Sequence, residues 1–144
     1  MEVRKATFIV PGDAVPWKAP EVKLRGKFRI GIMPKRASEQ KGYMKFIAAQ
    51  AWEGQEPMEG PVKLEINIYK GIPKSYSKKK RDQLLNGNRN LCSATPDVTN
   101  VVKLVEDAIK GIIIKDDRQV CFQVNKRFWR ENGMMEVTVT ELLA

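Results

Sequence analysis

The chain contains no histidine and only two cysteines, Cys92 and Cys121, among its 144 residues. Without imidazole, Ser–His and Cys–His nucleophilic pairs are excluded, as is every metal site that depends on histidine. The two cysteines have neither a Cys-x-x-Cys spacing nor a histidine nearby, so they read as ordinary reduced thiols rather than as a zinc site or a disulfide framework. No run approaches the roughly 20 apolar residues that cross a bilayer. The amino terminus, charged at Glu2, Arg4 and Lys5, lacks the apolar stretch of a signal peptide. A cytoplasmic protein without membrane contact is expected, and any catalysis in it falls to carboxylates, lysine or a bound ion.

Positive charge is what the chain has in excess: 26 Lys and Arg against 17 Asp and Glu, a net charge of +9. Such a surplus suits a polyanion, nucleic acid first. Between Asp13 and Ser38 lie three prolines, two glycines and seven basic residues, Lys18, Lys23, Arg25, Lys27, Arg29, Lys35 and Arg36, against only Asp13 and Glu21. Little apolar surface and much self-repulsion predict a basic, mobile arm over about 13–38, in which Lys18, Lys23, Arg25 and Lys27 are candidate DNA contacts. A second basic cluster, Lys74, Lys78, Lys79, Lys80 and Arg81, falls where Ser77 can cap a short helix stopped by Asn86-Gly87. Cations in a first helical turn oppose the macrodipole at a cost of a few tenths of a kcal/mol each, unless an anion sits there. Phosphate contact is the favoured reading of this cluster and a solvated charged face the alternative.

Elsewhere the apolar pattern is regular. Ala6, Phe8 and Val10 predict a first strand ending at Pro11-Gly12, and Val62, Leu64, Ile66 and Ile68 predict another, at an edge or in a meander. Two last strands follow from Val120, Phe122 and Val124 and from Met135, Val137 and Val139. Ser38 reads as the N-cap of a helix running to about Trp52, and a third helix is expected from about Asp97 to Lys110, with Val101, Leu104, Val105 and Ala108 inward and Gly111 at its end. These elements predict an α+β fold in two layers, a mostly antiparallel or mixed sheet of about four strands with about three helices on one face. Length and a 42% apolar content fit one domain over residues 1–144.

The most informative stretch is Thr95-Pro96-Asp97-Val98-Thr99-Asn100-Val101-Val102-Lys103, followed by Glu106-Asp107-Ala108, Gly111 and Lys115-Asp116-Asp117-Arg118-Gln119-Val120. Helical spacing puts Lys103 and Asp107 one turn apart, and the loop carrying Asp116 and Asp117 can return toward the start of that helix. A carboxylate cluster beside a lysine suits Mg²⁺, with Mn²⁺ as the other candidate, because such ions take oxygen ligands and are often held by one or two carboxylates plus substrate phosphate. An ion so held can activate water and stabilise the leaving oxygen in phosphodiester cleavage. Plainer roles stand beside this one. Asp97 or Thr99 can cap the helix, Asp107 can pair with Lys103, Asp116 and Asp117 can form a turn, and Asn100 can bind its own backbone.

At these residues the sequence resembles the RusA family of Holliday-junction resolvases, whose motif reads roughly Pro-Asp-x-Asp-Asn-x-x-Lys, then Asp-Ala-Leu-x-Gly, then Asp-Asp-x-Gln. The resemblance extends through Ile72-Pro73-Lys74-Ser75 and Val10-Pro11-Gly12, and so over most of the chain. It implies a structure-selective endodeoxyribonuclease that cuts four-way DNA junctions. Asp97 and Asp117 would be its metal-binding catalytic carboxylates, with Asp116 beside them, and Lys103 its catalytic lysine. Where the family has a second aspartate this chain has Thr99, a poorer ligand for a hard dication. Glu106, two helical turns after Thr99 and on nearly the same face, is the expected replacement. A junction is two-fold symmetric and needs two cuts, so a homodimer is expected. The rival readings are a junction-binding relative that does not cleave and a basic RNA-binding module without enzymatic activity. Among the aromatics, Trp17 or Phe28 in the basic arm is the expected wedge into unstacked bases.

Overall fold

A computed structural model describes residues 3–14, 21–25, 28–32, 35–87, 90–94 and 98–142, with the backbone alone at 21–25 and 28–32. In chain order the elements are β1 (Lys5–Pro11), β2 (Glu21–Arg25), β3 (Phe28–Ile32), α1 (Lys35–Trp52), β4 (Val62–Gly71), α2 (Lys78–Asn86), α3 (Val98–Ile109), a 3-10 turn (Asp117–Gln119), β5 (Val120–Arg130) and β6 (Met134–Glu141). Strands β1, β6, β4 and β5 lie side by side in that order, antiparallel except for the parallel pair β4–β5. Together with the three helices this is the mixed-sheet α+β fold that the sequence predicts. No described helix is long and apolar enough to cross a membrane.

The core follows from period-two alternation. Ala6, Phe8 and Val10 of β1, Val62, Leu64, Ile66 and Ile68 of β4, and Met135, Val137 and Val139 of β6 are all buried on one face. Onto it pack Met44, Ala48 and Trp52 of α1 and Val101, Val102, Val105, Ala108 and Ile109 of α3. Each Val, Leu, Ile, Phe or Met among them contributes on the order of 1.5–3 kcal/mol by leaving water. Beyond α3, Gly111 takes a positive φ of 84°, the left-handed conformation that glycine adopts without a Cβ penalty. A second apolar group, Ile72, Cys92 and Trp129 with Tyr76, Leu84 and Leu85, seats α2 near the far end of β5.

Four expectations are corrected. Part of the basic arm is an antiparallel hairpin, β2–β3, with Arg25 opposite Phe28; Val22 and Leu24, then Phe28, Ile30 and Ile32, carry an alternation that the arginines and lysines between them obscure. Helix α1 begins at Lys35, before Ser38, and its early Ala37 is buried, so tertiary burial outweighs the local capping signal. Strand β4 is internal, between β6 and β5.

The fourth correction concerns β5. Val120 pairs with Val62, but the next β4 residue, Lys63, pairs with Phe122, so Cys121 is an extra residue that reverses the facing of everything after it. Phe122 and Val124 are exposed, and Gln123 and Asn125 stand beside the inward-facing Leu64 and Ile66. The bulge thus turns two polar side chains toward the helical layer.

Candidate active site

Those two side chains help to line a cavity of about 300 Å³ whose wall is Val98, Thr99, Val102, Lys103, Glu106, Asp117, Gln123 and Asn125. Helical periodicity explains the α3 contribution, since residues three and four apart share a face. Thr99, Lys103 and Glu106 therefore reach the cavity while Val101, Leu104, Val105 and Ala108 fill the core. Asp117 enters from the turn before β5.

That turn is pinned by Gln119. Its amide nitrogen donates to the carbonyls of Met58 (2.7 Å) and Gly60 (2.9 Å), and its amide oxygen accepts from the backbone N–H groups of Lys115 (2.7 Å) and Asp116 (2.8 Å). All four hydrogen-bonding positions of the amide are thereby used. Asp116 and Gln119 form a capping box, each side chain accepting from the other's backbone N–H, and Asp116 Oδ1 also accepts from the Arg118 N–H at 2.9 Å. That N–H first, then the Asp117 side chain and the Arg118 guanidinium, hold the Asp116 carboxyl well below the usual range, at about 2. Gln119→Leu is expected to lower stability by about 2 kcal/mol, because it strips partners from several backbone groups at once; urea denaturation measures it.

Inside the cavity, Glu106 Oε1 accepts a 2.7 Å hydrogen bond from Gln123 Nε2. Burial chiefly, and next the negative charge of Asp117, push the Glu106 carboxyl above its ordinary value, with Asp107 adding to the rise and the Gln123 bond opposing it. The side-chain oxygen of Asn125 is buried and has no hydrogen-bond partner among the described residues. The carboxylates of Glu106 and Asp117 and the unpartnered Asn125 amide oxygen are hard oxygen donors in one wall, and such donors fit Mg²⁺ or Mn²⁺. Among the described residues no group of three or more Asp, Glu, Cys or His converges.

Of the candidate site residues, Thr99, Lys103, Glu106 and Asp117 come together. Asp116 lies outside the cavity wall with its carboxylate engaged by Arg118, and Asn100 and Asp107 do not line the wall either. Asp97 is outside the described residues. Gln119, Gln123 and Asn125 are site residues that motif reasoning left without a role. The signal for the first was its place in the Asp-Asp-x-Gln series, whereas the other two depend on the bulge.

The basic cluster lies on the same side of the sheet. Trp129, which anchors α2, is four residues after Asn125 on β5, a separation of about 13 Å at roughly 3.3 Å per residue. Ser77 caps α2, accepting from the Lys80 N–H at 3.2 Å. Lys74, Lys78, Lys79 and Lys80 are exposed, with the Lys80 ammonium 3.9 Å from the centre of the Tyr76 ring. Arg81 differs from them: its guanidinium pairs with Glu131 at 2.9 Å and donates to the Pro73 carbonyl at 3.0 Å, contacts that tie α2 to its surroundings. Lys23 and Arg25 fall on β2, described by its backbone alone, while Lys18, Lys27 and Trp17 lie outside the described residues and Phe28 is described by its backbone on β3.

A two-layer α+β chain that joins acidic oxygen donors and an ammonium in one cavity, and carries an exposed basic helix end, has the components of a nucleic-acid-processing protein. The family model described as Endodeoxyribonuclease RusA matches residues 11–140, and the chain belongs to that family. It is also 33% identical over 142 residues to "Uncharacterized protein YqaN" of Bacillus subtilis (strain 168), covering 95% of this chain and 96% of that protein.

Proposed function

We propose that this chain is a divalent-metal-dependent endonuclease that resolves four-way DNA junctions as a homodimer. The observation that carries the reading is the cavity joining Asp117, Glu106 and Lys103, in a chain of an endodeoxyribonuclease family. Asp117 and Asp97 are the expected metal-binding carboxylates, and Glu106 supplies the charge that Thr99 lacks. Asp116 serves the site by holding the turn that presents Asp117. When bound, Mg²⁺ or Mn²⁺ supplies an activated water and stabilises the charge that develops on phosphate.

The chain's own groups do the rest. The Lys103 ammonium attracts the scissile phosphate, and Gln123 holds Glu106 in place through its donated hydrogen bond. Lys74, Lys78, Lys79 and Lys80, exposed at the start of α2, contact neighbouring phosphates of the same DNA. Lys18, Lys23, Arg25 and Lys27 of the amino-terminal segment are further phosphate contacts in this reading. Competition gel shifts in EDTA test the substrate class. A four-way junction is expected to displace bound probe at concentrations at which linear duplex and double-stranded RNA do not; equal competition by RNA would favour the non-enzymatic module.

The Glu106 carboxylate gives a prediction with a definite sign. A carboxyl whose folded value is raised stabilises the fold below its unfolded value, and that contribution is lost as pH rises through the folded value. Metal-free Glu106→Gln is therefore expected to melt above the parent protein at pH 8, with the difference shrinking toward pH 4. Thermal melts at the two pH values check this.

A further inference from the structure

We propose that Asn125 supplies a neutral oxygen ligand to the cation held in the acidic cavity, a role that rests on the metal-dependent reading above. Asn125 lines the cavity, and its Oδ1 is buried with no hydrogen-bond partner among the described residues. A buried amide oxygen left unpaired costs free energy, and folded proteins rarely keep one without a purpose. Here the placement is built in. Inserting Cys121 as a bulge turns Asn125 to the inner face, beside Ile66, where an apolar side chain would complete the core without that cost.

The neighbours restrict what Oδ1 can receive. The same wall carries the carboxylates of Glu106 and Asp117, which accept and do not donate when ionised, and three donors, the Thr99 hydroxyl, the Lys103 ammonium and the Gln123 amide, none of which hydrogen-bonds to Oδ1. Gln123 directs one of its two amide hydrogens to Glu106 at 2.7 Å. That hydrogen bond occupies Oε1 of Glu106 and leaves Oε2 for a cation. A hard divalent ion satisfies the two acids and the amide oxygen together, and Asn side-chain carbonyls are ordinary ligands for such ions. The neutral third donor adds no charge to a site where carboxylates already repel, and with Glu106 on α3 and Asn125 on β5 the donors that would hold the ion come from both layers.

The test is Mn²⁺ binding to the full-length, metal-free protein, read from loss of the free-ion electron paramagnetic resonance signal, with melting temperatures measured alongside. Asn125→Leu is expected to weaken Mn²⁺ binding by about tenfold or more. Its metal-free form should melt at or a few degrees above the parent, because an unpartnered oxygen has been removed. Asn125→Asp keeps the shape, adds a charge and is expected to bind Mn²⁺ several-fold more tightly than the parent; it decides the matter should the leucine variant fold poorly. Unchanged affinity in both variants, with binding lost in Asp117→Asn, would overturn the role of Asn125 and leave the metal site standing. Absence of Mn²⁺ binding in the parent protein would overturn both.

Discussion

Replacing Asp117 by asparagine is expected to reduce cleavage of a four-way junction by about 10³-fold or more, while the junction still binds. The substitution keeps the shape and removes one negative charge, so the turn held by Gln119 and Asp116 should persist. What it removes is a charged donor from the cavity proposed as the site of phosphodiester cleavage. Losing one preorganised electrostatic group in such a site commonly costs about 10²–10³ in rate, and weakened ion binding adds to that. In the proposed reading most phosphate contacts fall on lysines outside the cavity, and one fewer acid should if anything strengthen binding. Single-turnover cleavage and gel shifts on the same preparation separate the two. A variant that cleaves normally would remove Asp117 from the chemistry, and one that fails to bind would point to misfolding.

The second large effect is expected from neutralising the basic end of α2. In Lys74→Ala, Lys78→Ala, Lys79→Ala combined, three exposed ammonium groups disappear without touching the core, since none of the three is buried. Each phosphate contact adds about 0.9 to the slope of log affinity against log salt, so losing three should flatten it by about 2.7. Between 50 and 200 mM salt, that change alone corresponds to about a 40-fold difference in how steeply affinity falls. Arg81→Ala should behave differently, lowering stability through its lost contacts with Glu131 and Pro73. A salt slope unchanged in the triple variant would place the DNA on another surface.

Much of this architecture can be read before any coordinates. The alternation in β1, β4 and β6, the inward stripe of α3 and the Ser77 cap of α2 are local signals that the packed protein keeps, because each lies within one element. The failures are tertiary. β5 reads as Val120, Phe122 and Val124 facing the core, yet the bulge at Cys121 sends Phe122 and Val124 outward and brings Gln123 and Asn125 in. A bulge depends on pairing with a neighbouring strand and leaves no periodicity of its own. The α1 start moved for a similar reason, with burial of Ala37 deciding what Ser38 could not.

The same contrast holds in the site. Sequence spacing brings Thr99, Lys103 and Glu106 to one helix face, and the motif identifies Asp117, so the acidic wall is legible. Asp116 and Asp117 are adjacent in sequence and indistinguishable by residue type, but only Asp117 lines the cavity, while Asp116 is held by Arg118 as well as by its neighbour. Arg81 and its lysine neighbours form one basic run in sequence, and only packing reveals that Arg81 is committed to Glu131. Polarity in the sequence identifies which groups are available; the fold decides which remain so.

The most direct test of the central claim is cleavage of a synthetic four-way junction beside linear duplex of the same sequence, with Mg²⁺ or Mn²⁺ and with EDTA. Paired, symmetric nicks on the junction alone, dependent on the metal, are expected. Metal-saturated protein that binds the junction without cutting it, or that cuts duplex equally well, would contradict the account.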